Sequence, residues 1–191
     1  MTQPERFSSL NLDSAPAAAR PILRASEQQF GFVPAPVARA ARSPVLLGQV
    51  LAGLRAFEQT SLSQLEREVV ALSTAYEQGC AYCMALHSAL LARSPEHAPL
   101  LEALRSGSPL PDARLEALRG FSRELLLERG RVQAATWERF ERAGFTPEQA
   151  LEVVLGVGAY VQSTLLNIVT EAPLDAAFAP FAWQPPLARA S

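Results

Sequence analysis

Residues 63–93 run SQLEREVVALSTAYEQGCAYCMALHSALLAR, and this stretch decides the fold. Ser63 and Glu66 make a capping box, in which two side chains at a helix start satisfy each other's backbone N–H groups. Apolar residues then recur at helical spacing. Gly79 interrupts the pattern, as glycine does at helix C-termini, and a second helix is predicted over residues 80–93. The stretch therefore predicts two consecutive helices joined by a tight turn.

Helical periodicity dominates the rest of the chain as well. Alternation typical of strands is absent, and the sequence contains no Asn-Gly or Asp-Gly pair that would mark a hairpin. Helices are predicted over residues 17–30, 44–59, 64–76, 80–93, 113–129, 132–143 and 147–171. The predicted fold class is all-α, a single-domain helical bundle over residues 16–183. An N-terminal arm is predicted over residues 1–15 and a C-terminal tail over residues 184–191.

The composition is that of a folded protein without an excess of charge. The chain has 191 residues, 49% of them hydrophobic and 19% charged, with a formal net charge of −2. These values exclude a disordered chain. The lack of a basic surplus argues against binding to nucleic acid. All 17 cationic residues are arginine, which excludes chemistry that needs a lysine amine.

The chain is expected to be cytoplasmic. The N-terminal residues 1–6 lack the basic and apolar regions of a signal peptide. The longest apolar run, residues 151–168, is broken by Glu152, Gln162 and Asn167, so no membrane association is expected. In a reducing cytosol, a close cysteine pair is more often catalytic or metal-binding than a structural disulfide.

Three of the four cysteine and histidine residues cluster in the second helix of the pair, at Cys80, Cys83 and His87. At about 100° per residue their side chains share one narrow helix face. The preceding glycine places both cysteines in the first turn, where unpaired N–H groups and the helix dipole stabilise a thiolate. The spacing also allows a disulfide between the two cysteines.

The distance to His87 distinguishes the two cysteines. His87 lies four residues after Cys83, as a direct side-chain neighbour, but seven residues after Cys80. A histidine within reach assists proton transfer to and from a thiol. Cys83 is therefore the expected nucleophile and the less exposed of the two. Cys80 is the expected partner that exchanges with an external thiol.

The first helix of the pair contributes a carboxylate, Glu68. This residue lies beside the apolar stripe that contains Val69 and Leu72, rather than opposite it. A carboxylate near a core is costly without a partner. We expect Cys83 and His87 to supply that partner across the helix pair.

Other uses of the cluster stay open on these residues alone. Both cysteines and the histidine could be buried structural side chains. A zinc site would have four ligands: Cys80, Cys83, His87 and Glu68. Structural zinc sites usually draw ligands from two knuckles, and the chain has no second cysteine pair. Covalent haem attachment needs a histidine directly after the second cysteine, where this chain has Met84. Thioredoxin-like chemistry needs a cysteine pair near a βαβ pattern, which this sequence lacks.

In the order and spacing of these residues, the chain resembles the alkylhydroperoxidase D-like (AhpD-like), peroxidase-related branch of the carboxymuconolactone decarboxylase superfamily. The most specific part is the pattern Glu-x11-Cys-x2-Cys-x3-His, which runs from Glu68 to His87. The resemblance extends over residues 30–183. The other matching segments are Gly31-Phe32-Val33-Pro34, Ser43-Pro44, Leu62 to Glu68, Gly144-Phe145-Thr146 and Asn167.

The resemblance implies an all-α fold and thiol-dependent reduction of hydroperoxides. By matching position, Cys83 resembles the peroxidatic cysteine and Cys80 the resolving cysteine. Glu68 and His87 resemble a proton relay, with Glu68 as the general base. The best-studied branch has a histidine directly before the second cysteine, where this chain has Tyr82. The relay is then one member shorter, or the tyrosine hydroxyl takes the place of that histidine.

The implied cycle needs a hydroperoxide and an external dithiol donor, such as a lipoyl-bearing or thioredoxin-like protein. It needs no metal, haem or nucleotide cofactor. A homo-oligomer is expected because residues 151–168 are apolar nearly all round, which suits a helix covered by a neighbour. Two other classes of function stay open: a redox-sensing or structural oligomer with a switchable disulfide, and a zinc-binding helical module.

Overall fold

A computed structural model describes residues 6–186, which contain nine α-helices and no β-strand. The prediction of an all-α fold is confirmed. The helices are α1 (Arg20–Phe30), α2 (Ala35–Ala40), α3 (Pro44–Glu58), α4 (Gln64–Gln78), α5 (Ala81–Leu91), α6 (Ala98–Ser106), α7 (Ala113–Leu127), α8 (Ala134–Arg142) and α9 (Pro147–Val169). Short 3-10 helices at Pro95–His97 and Ala176–Phe181 precede α6 and follow α9.

Helix α4 begins and ends as its sequence predicts. The Ser63 hydroxyl accepts a hydrogen bond from the Glu66 backbone N–H, and the Glu66 carboxylate accepts one from the Ser63 N–H. Arg114 of α7 reaches the same carboxylate at 2.9 Å. Burial raises the pKa of Glu66, but the bonds from Ser63 and Arg114 hold it below its ordinary value. At the other end, Gly79 takes a φ of +66°, a left-handed conformation that favours glycine and turns the chain into α5.

The main core lies where α4 packs against α5, α7 and α9. Residues 69–72 are all fully buried, because α4 has neighbours on several sides. A second, smaller cluster joins α1, α2 and the start of α3, with Leu23, Ala41 and Leu47 among its members. Residues associated with both clusters line the cavity that is described below.

The longest helix, α9, packs its inner face on α3 and α4 and leaves apolar side chains exposed on its outer face. Phe57 of α3 packs against Gly156 of α9, where a Cβ atom would lie 2.4 Å from its ring. Among the described residues, α9 is the one helix that is long and apolar enough to cross a membrane, by length and composition. The inner face of α9 belongs to the core of the protein. Of the most apolar 18-residue stretch of this helix, 33% is buried.

The helix bounds differ from the sequence-based predictions in two ways. Helices α2 and α6 are not predicted, because six and nine residues are too few for a clear apolar period between proline-rich turns. Helix α1 begins at Arg20 rather than Ala17, because residues 17–19 form turns. Helix α5 begins at Ala81, and Cys80 is its N-cap rather than its first helical residue.

The predicted N-terminal arm packs on the helices over its described part, residues 6–15. The Leu10 N–H donates to the Ala38 carbonyl at 3.0 Å, and Ala15 is buried at 3% exposure. These contacts belong to the second apolar cluster, in which residues of the arm pack with α1, α2 and α3. Residues 1–5 lie outside the described residues, so the arm as a unit stays a prediction.

The C-terminal segment packs on α4 and α6. Trp183 Nε1 donates to the Arg105 carbonyl at 2.9 Å, and its ring lies against Tyr76 at 5.8 Å between centroids. The Arg105 guanidinium donates in turn to the Phe181 carbonyl at 3.0 Å. Residues 187–191 of the predicted tail lie outside the described residues, and the domain limits stay an interpretation.

Gly156→Ala is expected to destabilise the protein, whereas Gly120→Ala stabilises it. A methyl group at position 156 meets the buried Phe57 ring, and overpacking of this kind costs about 1–3 kcal/mol. Gly120 lies within α7 with open space around it, so alanine gains about 0.5–1 kcal/mol of helix propensity there. Urea unfolding midpoints measure both effects. Equal shifts in the two variants would contradict a close α3–α9 contact.

Candidate active site

The two cysteine sulfur atoms lie together at the N-terminus of α5. The Sγ atom of the N-cap residue Cys80 accepts a hydrogen bond from the Cys83 backbone N–H at 3.3 Å. The Sγ atoms of Cys80 and Cys83 are 2.6 Å apart, and both residues are free cysteines. Because a disulfide bond is about 2.05 Å long, a small movement would join them.

Negative charge on this pair is favoured at Cys80. The hydrogen bond from the Cys83 thiol lowers the pKa of Cys80 to about 7, against the opposing effect of burial. The Cys83 backbone N–H, the Asn167 amide and His87 also lower this pKa. The same sulfur contact, together with burial, raises the pKa of Cys83 well above its ordinary value. Once the pair has lost one proton, the negative charge is therefore favoured at Cys80 and the remaining proton at Cys83.

The exposure of the two cysteines differs from the sequence-based expectation. Cys80 is 1% exposed and Cys83 is 5% exposed, so Cys83 is not the less exposed of the two. Among the described residues, Cys83 lines a neighbouring cavity and Cys80 does not. The reason is the N-cap position of Cys80, whose side chain turns back toward the backbone N–H groups of the first turn.

Glu68 and His87 form a carboxylate–imidazole pair across the α4–α5 hairpin. Glu68 Oε2 lies 2.8 Å from His87 Nδ1, and the side chains are 15% and 12% exposed. The His87 ring packs edge-on against Tyr160 of α9, 5.1 Å between centroids. The sequence predicts both Cys83 and His87 as partners of Glu68, and within residues 6–186 only His87 bonds to it. His87 and Cys83 both line the cavity that is described below.

Tyr82, the residue between the cysteines, is engaged by a carboxylate. Its hydroxyl donates to Asp175 Oδ2 at 2.6 Å, and the same oxygen accepts the Ala35 backbone N–H at 3.1 Å. Burial and Asp175 raise the pKa of Tyr82. Tyr82 thus ties α5 to the start of α2 and to the segment after α9, and its proton faces Asp175 rather than a sulfur atom.

A further polar group, Asn167 of α9, contacts the sulfur atoms. Its Nδ2 donates to the Sγ of Cys83 at 3.1 Å and lies 3.8 Å from the Sγ of Cys80. Asn167 belongs to the segments that carry the family resemblance, but its position in the sequence predicts no role for it. The available signal was an amide within a helix that is otherwise mostly apolar.

A cavity of about 310 Å³ lies beside Cys83. Next to the thiol, the polar lining residues are His87, Asn167 and Ser163. Most other lining side chains are apolar and come from α1, α2, α3, α5 and α9: Ile22, Phe30, Val37, Leu47, Val50, Leu51, Leu54, Leu86, Leu90 and Leu166. A cavity of this kind suits a small molecule with an apolar body and one polar, reactive group.

The zinc ligand set considered from the sequence is divided in the structure. Glu68 and His87 bond to each other, whereas the two cysteines contact each other. In the part of the chain that the structure describes, no three His, Cys, Asp or Glu side chains are grouped so that they could hold a metal ion. The described residues therefore give the zinc alternative no support.

The reduced protein is expected to form a thiolate with an apparent pKa of about 7. A lowered pKa favours the charged form, so the thiolate is present above this pH and is lost as the pH falls below it. Cys83→Ala removes the hydrogen bond that lowers the pKa of Cys80, and the thiolate should then appear only at higher pH. Ultraviolet absorbance of the thiolate against pH measures both proteins. An unchanged titration in Cys83→Ala would contradict the role of this hydrogen bond.

Comparisons with known proteins concern the fold. No protein-family model and no curated protein matches the chain. An uncharacterized peroxidase-related protein from Ralstonia eutropha JMP134, an alkylhydroperoxidase AhpD core, aligns over 93% of this chain and 96% of its own, with a TM-score of 0.79 and 22% identity. An uncharacterized peroxidase-related protein from Silicibacter sp. TM1040 aligns over 93% and 97%, with a TM-score of 0.74 and 22% identity.

A debrominase has the same fold. A cysteine-to-alanine variant of the debrominase Bmp8, in complex with 2,3,4-tribromopyrrole, aligns over 95% of this chain and 97% of its own, with a TM-score of 0.75 and 15% identity. One fold thus carries more than one kind of protein, and activity has to be argued from the site. The chain has the AhpD-like helical fold of the peroxidase-related proteins, the fold that its sequence resemblance implies.

Proposed function

We propose that the chain is a thiol-dependent peroxidase, which reduces hydroperoxides through a dithiol–disulfide cycle. The observation that carries this proposal is a pair of free cysteine sulfur atoms 2.6 Å apart at a helix N-terminus, one of them on a cavity. Such a pair can take an oxygen atom on one sulfur and then close a disulfide with the other. The AhpD-like fold, shared with peroxidase-related proteins, supports the proposal.

In the first step, the Cys83 sulfur attacks the terminal oxygen of the hydroperoxide. We assign the attack to Cys83 because it lines the cavity. Transfer of the remaining proton from Cys83 to Cys80, across 2.6 Å, brings the negative charge to the cavity side. A sulfur–oxygen bond then forms and the oxygen–oxygen bond breaks. Cys83 becomes a sulfenic acid, and the organic oxygen leaves as an alkoxide that needs a proton.

The Glu68–His87 pair moves the protons in this cycle. His87 lines the same cavity as Cys83, and Glu68 holds its Nδ1 at 2.8 Å, which fixes the orientation of the ring. Glu68 is the general base that draws a proton from the thiol pair through the imidazole. The imidazole delivers a proton to the leaving oxygen, so that an alcohol rather than an alkoxide departs.

In the second step, Cys80 attacks the sulfenic sulfur of Cys83. A sulfur–sulfur bond forms, and the hydroxyl group leaves as water after it takes a proton. Two thiols and one hydroperoxide thus give one disulfide, one alcohol and one water. An external dithiol then reduces the disulfide by exchange and becomes a disulfide itself. We propose a lipoyl-bearing or thioredoxin-like protein as this donor, in the cytoplasm, where such donors are kept reduced.

Peroxide consumption with excess dithiol is the test of this proposal. A peroxidase turns over many times per chain, and organic hydroperoxides should react faster than hydrogen peroxide because most of the cavity lining is apolar. A redox sensor would consume one equivalent and stop. The panel also includes a brominated pyrrole, because a debrominase shares the fold. Bromide release without peroxide consumption would contradict the proposal.

Variants of the two cysteines are expected to stop at different stages of the same reaction. Cys80→Ser should react once and stop at a sulfenic acid, which excess peroxide converts to a sulfinic acid. Cys83→Ser should gain no oxygen. Intact-protein mass spectrometry after a peroxide pulse counts the added oxygen atoms. The reverse pattern would exchange the roles of the two cysteines, and no oxidation in either variant would refute peroxidase chemistry at this site.

We also propose that the chain forms a homo-oligomer through the outer face of α9. Six large apolar residues of this face are between 39% and 72% exposed: Leu151, Val154, Leu155, Leu165, Ile168 and Val169. Leu46 of α3 borders the same surface. Soluble monomers seldom expose a continuous apolar patch of this kind. A second copy of the chain offers the matching apolar face.

Sedimentation velocity is expected to give a mass that is a multiple of 20.6 kDa. Leu155→Arg should dissociate the assembly, because it places an unpaired charge within the contact. Leu127→Arg is the control, since Leu127 lies on α7 and is 52% exposed; this change should leave the mass unaltered. A wild-type protein that sediments only as a 20.6 kDa species at micromolar concentration would contradict the proposal.

A further inference from the structure

Asn167 is a buried amide that faces both cysteine sulfur atoms. Its Nδ2 lies 3.1 Å from the Sγ of Cys83 and 3.8 Å from the Sγ of Cys80. The residue is 6% exposed, so water competes little for its N–H groups. A thiolate sulfur accepts hydrogen bonds and donates none. An amide nitrogen directed at it therefore stabilises negative charge there.

The oxygen of the same amide has no such partner. Asn167 Oδ1 is buried and accepts no hydrogen bond within residues 6–186. A buried carbonyl oxygen without a donor reduces stability, because it gives up its bonds to water and gains none in return. An apolar side chain of similar shape would avoid this cost. Folding stability therefore does not account for an asparagine at this position.

We propose that Asn167 is a catalytic residue whose amide N–H stabilises the negative charge of the cysteine pair as that charge moves from Cys80 to Cys83. The inference rests on the proposed thiol chemistry of these two residues. It concerns the thiols themselves, and so it applies to any substrate that they attack.

The Asn167 amide lies closer to Cys83, the sulfur atom that lines the cavity, than to Cys80. Proton transfer from Cys83 to Cys80 moves one negative charge between the two sulfur atoms and leaves the total charge unchanged. When the charge leaves Cys80, it loses the hydrogen bond from the Cys83 backbone N–H, which lies 3.3 Å from the Sγ of Cys80. At Cys83 the charge accepts the shorter of the two contacts with the Asn167 amide, 3.1 Å. Asn167 thus offsets part of the lost hydrogen-bond energy and stabilises the Cys83 thiolate, the form that attacks the substrate.

Within residues 6–186, the Asn167 side chain hydrogen-bonds to the two sulfur atoms and to none of the other titratable groups around them. Those at or beside the cavity lie on four helices: Arg55, Glu58, Glu68, Tyr82, His87 and Tyr160. The hydrogen bond from Asn167 acts to lower the pKa of both thiols. A change in thiol titration on substitution at position 167 therefore reports on this amide.

Two variants and one control isolate the amide. Asn167→Leu keeps a similar shape and removes both the donor and the unpaired oxygen. Asn167→Asp keeps the shape and puts a negatively charged oxygen where the donor was. The matched control is Thr164→Val, because Thr164 is a buried residue of the same helix whose hydroxyl donates to the Val161 carbonyl. The readouts are thiolate absorbance against pH, reaction rates with iodoacetamide and with a hydroperoxide, and urea midpoints at acidic pH.

Asn167→Leu is expected to lose reactivity and gain stability. Its thiolate pKa should rise by about one to two units, and its rate with either reagent at neutral pH should fall roughly 5- to 50-fold, as for one hydrogen bond to a charged group. Its urea midpoint at acidic pH, where the thiols are protonated, should exceed that of the wild type. Asn167→Asp should raise the thiolate pKa further, because two negative charges then lie close together. Thr164→Val should leave the titration and the rates unchanged.

A thiolate titration in Asn167→Leu that matches the wild type would overturn the proposal. So would slower reaction with a lower urea midpoint and an unchanged thiolate pKa, which is the result of a purely structural role. If Asn167→Leu does not fold, the same titration in Asn167→Asp decides. If the wild type reduces no hydroperoxide while the titrations shift as expected, the proposed function fails and the role of Asn167 toward the thiols stands.

Discussion

Two buried sulfur atoms held 2.6 Å apart at the end of a helix are the constraint on which the rest of the site depends. A thiolate without water is costly, so its charge has to be met by donors that the fold keeps in place. The N-terminus of α5 supplies one backbone N–H, the Cys83 thiol supplies a second donor and Asn167 a third. The left-handed turn at Gly79 decides where α5 begins, and therefore which residue becomes its N-cap.

Sequence spacing predicts the parts of this site that depend on local geometry. Residues within a few positions of one another determine three of these features: the capping box at Ser63, the turn at Gly79 and the location of both cysteines at the start of α5. Glu68 is predicted as well, because the turn is short and the apolar stripe of α4 sets which face meets α5. The pairing of Glu68 with His87 therefore follows from the hairpin alone.

Contacts between distant parts of the chain are not predicted from spacing. Asn167 lies 84 residues after Cys83, and Asp175 lies 93 residues after Tyr82, so both contacts depend on how α9 and the following segment pack. The i, i+4 spacing places His87 within reach of Cys83, but among the described residues the ring bonds to Glu68 and no hydrogen bond joins it to Cys83. Spacing sets which side chains can meet, and the packing of the helices decides which of them do.

In the proposed cycle, one sulfur atom carries the negative charge at rest and the other is open to the substrate. The thiolate is favoured at Cys80, behind the cavity, while the reagent meets Cys83. This arrangement suits the second step as well as the first. Once Cys83 carries oxygen, the attacking sulfur has to ionise readily and already lie in contact. Cys80 already lies in contact with Cys83. Oxidation removes the Cys83 thiol, the main cause of the low pKa of Cys80, and leaves the Cys83 backbone N–H as a donor to the Cys80 sulfur atom. In the reduced pair, the low pKa thus belongs to the cysteine that later closes the disulfide.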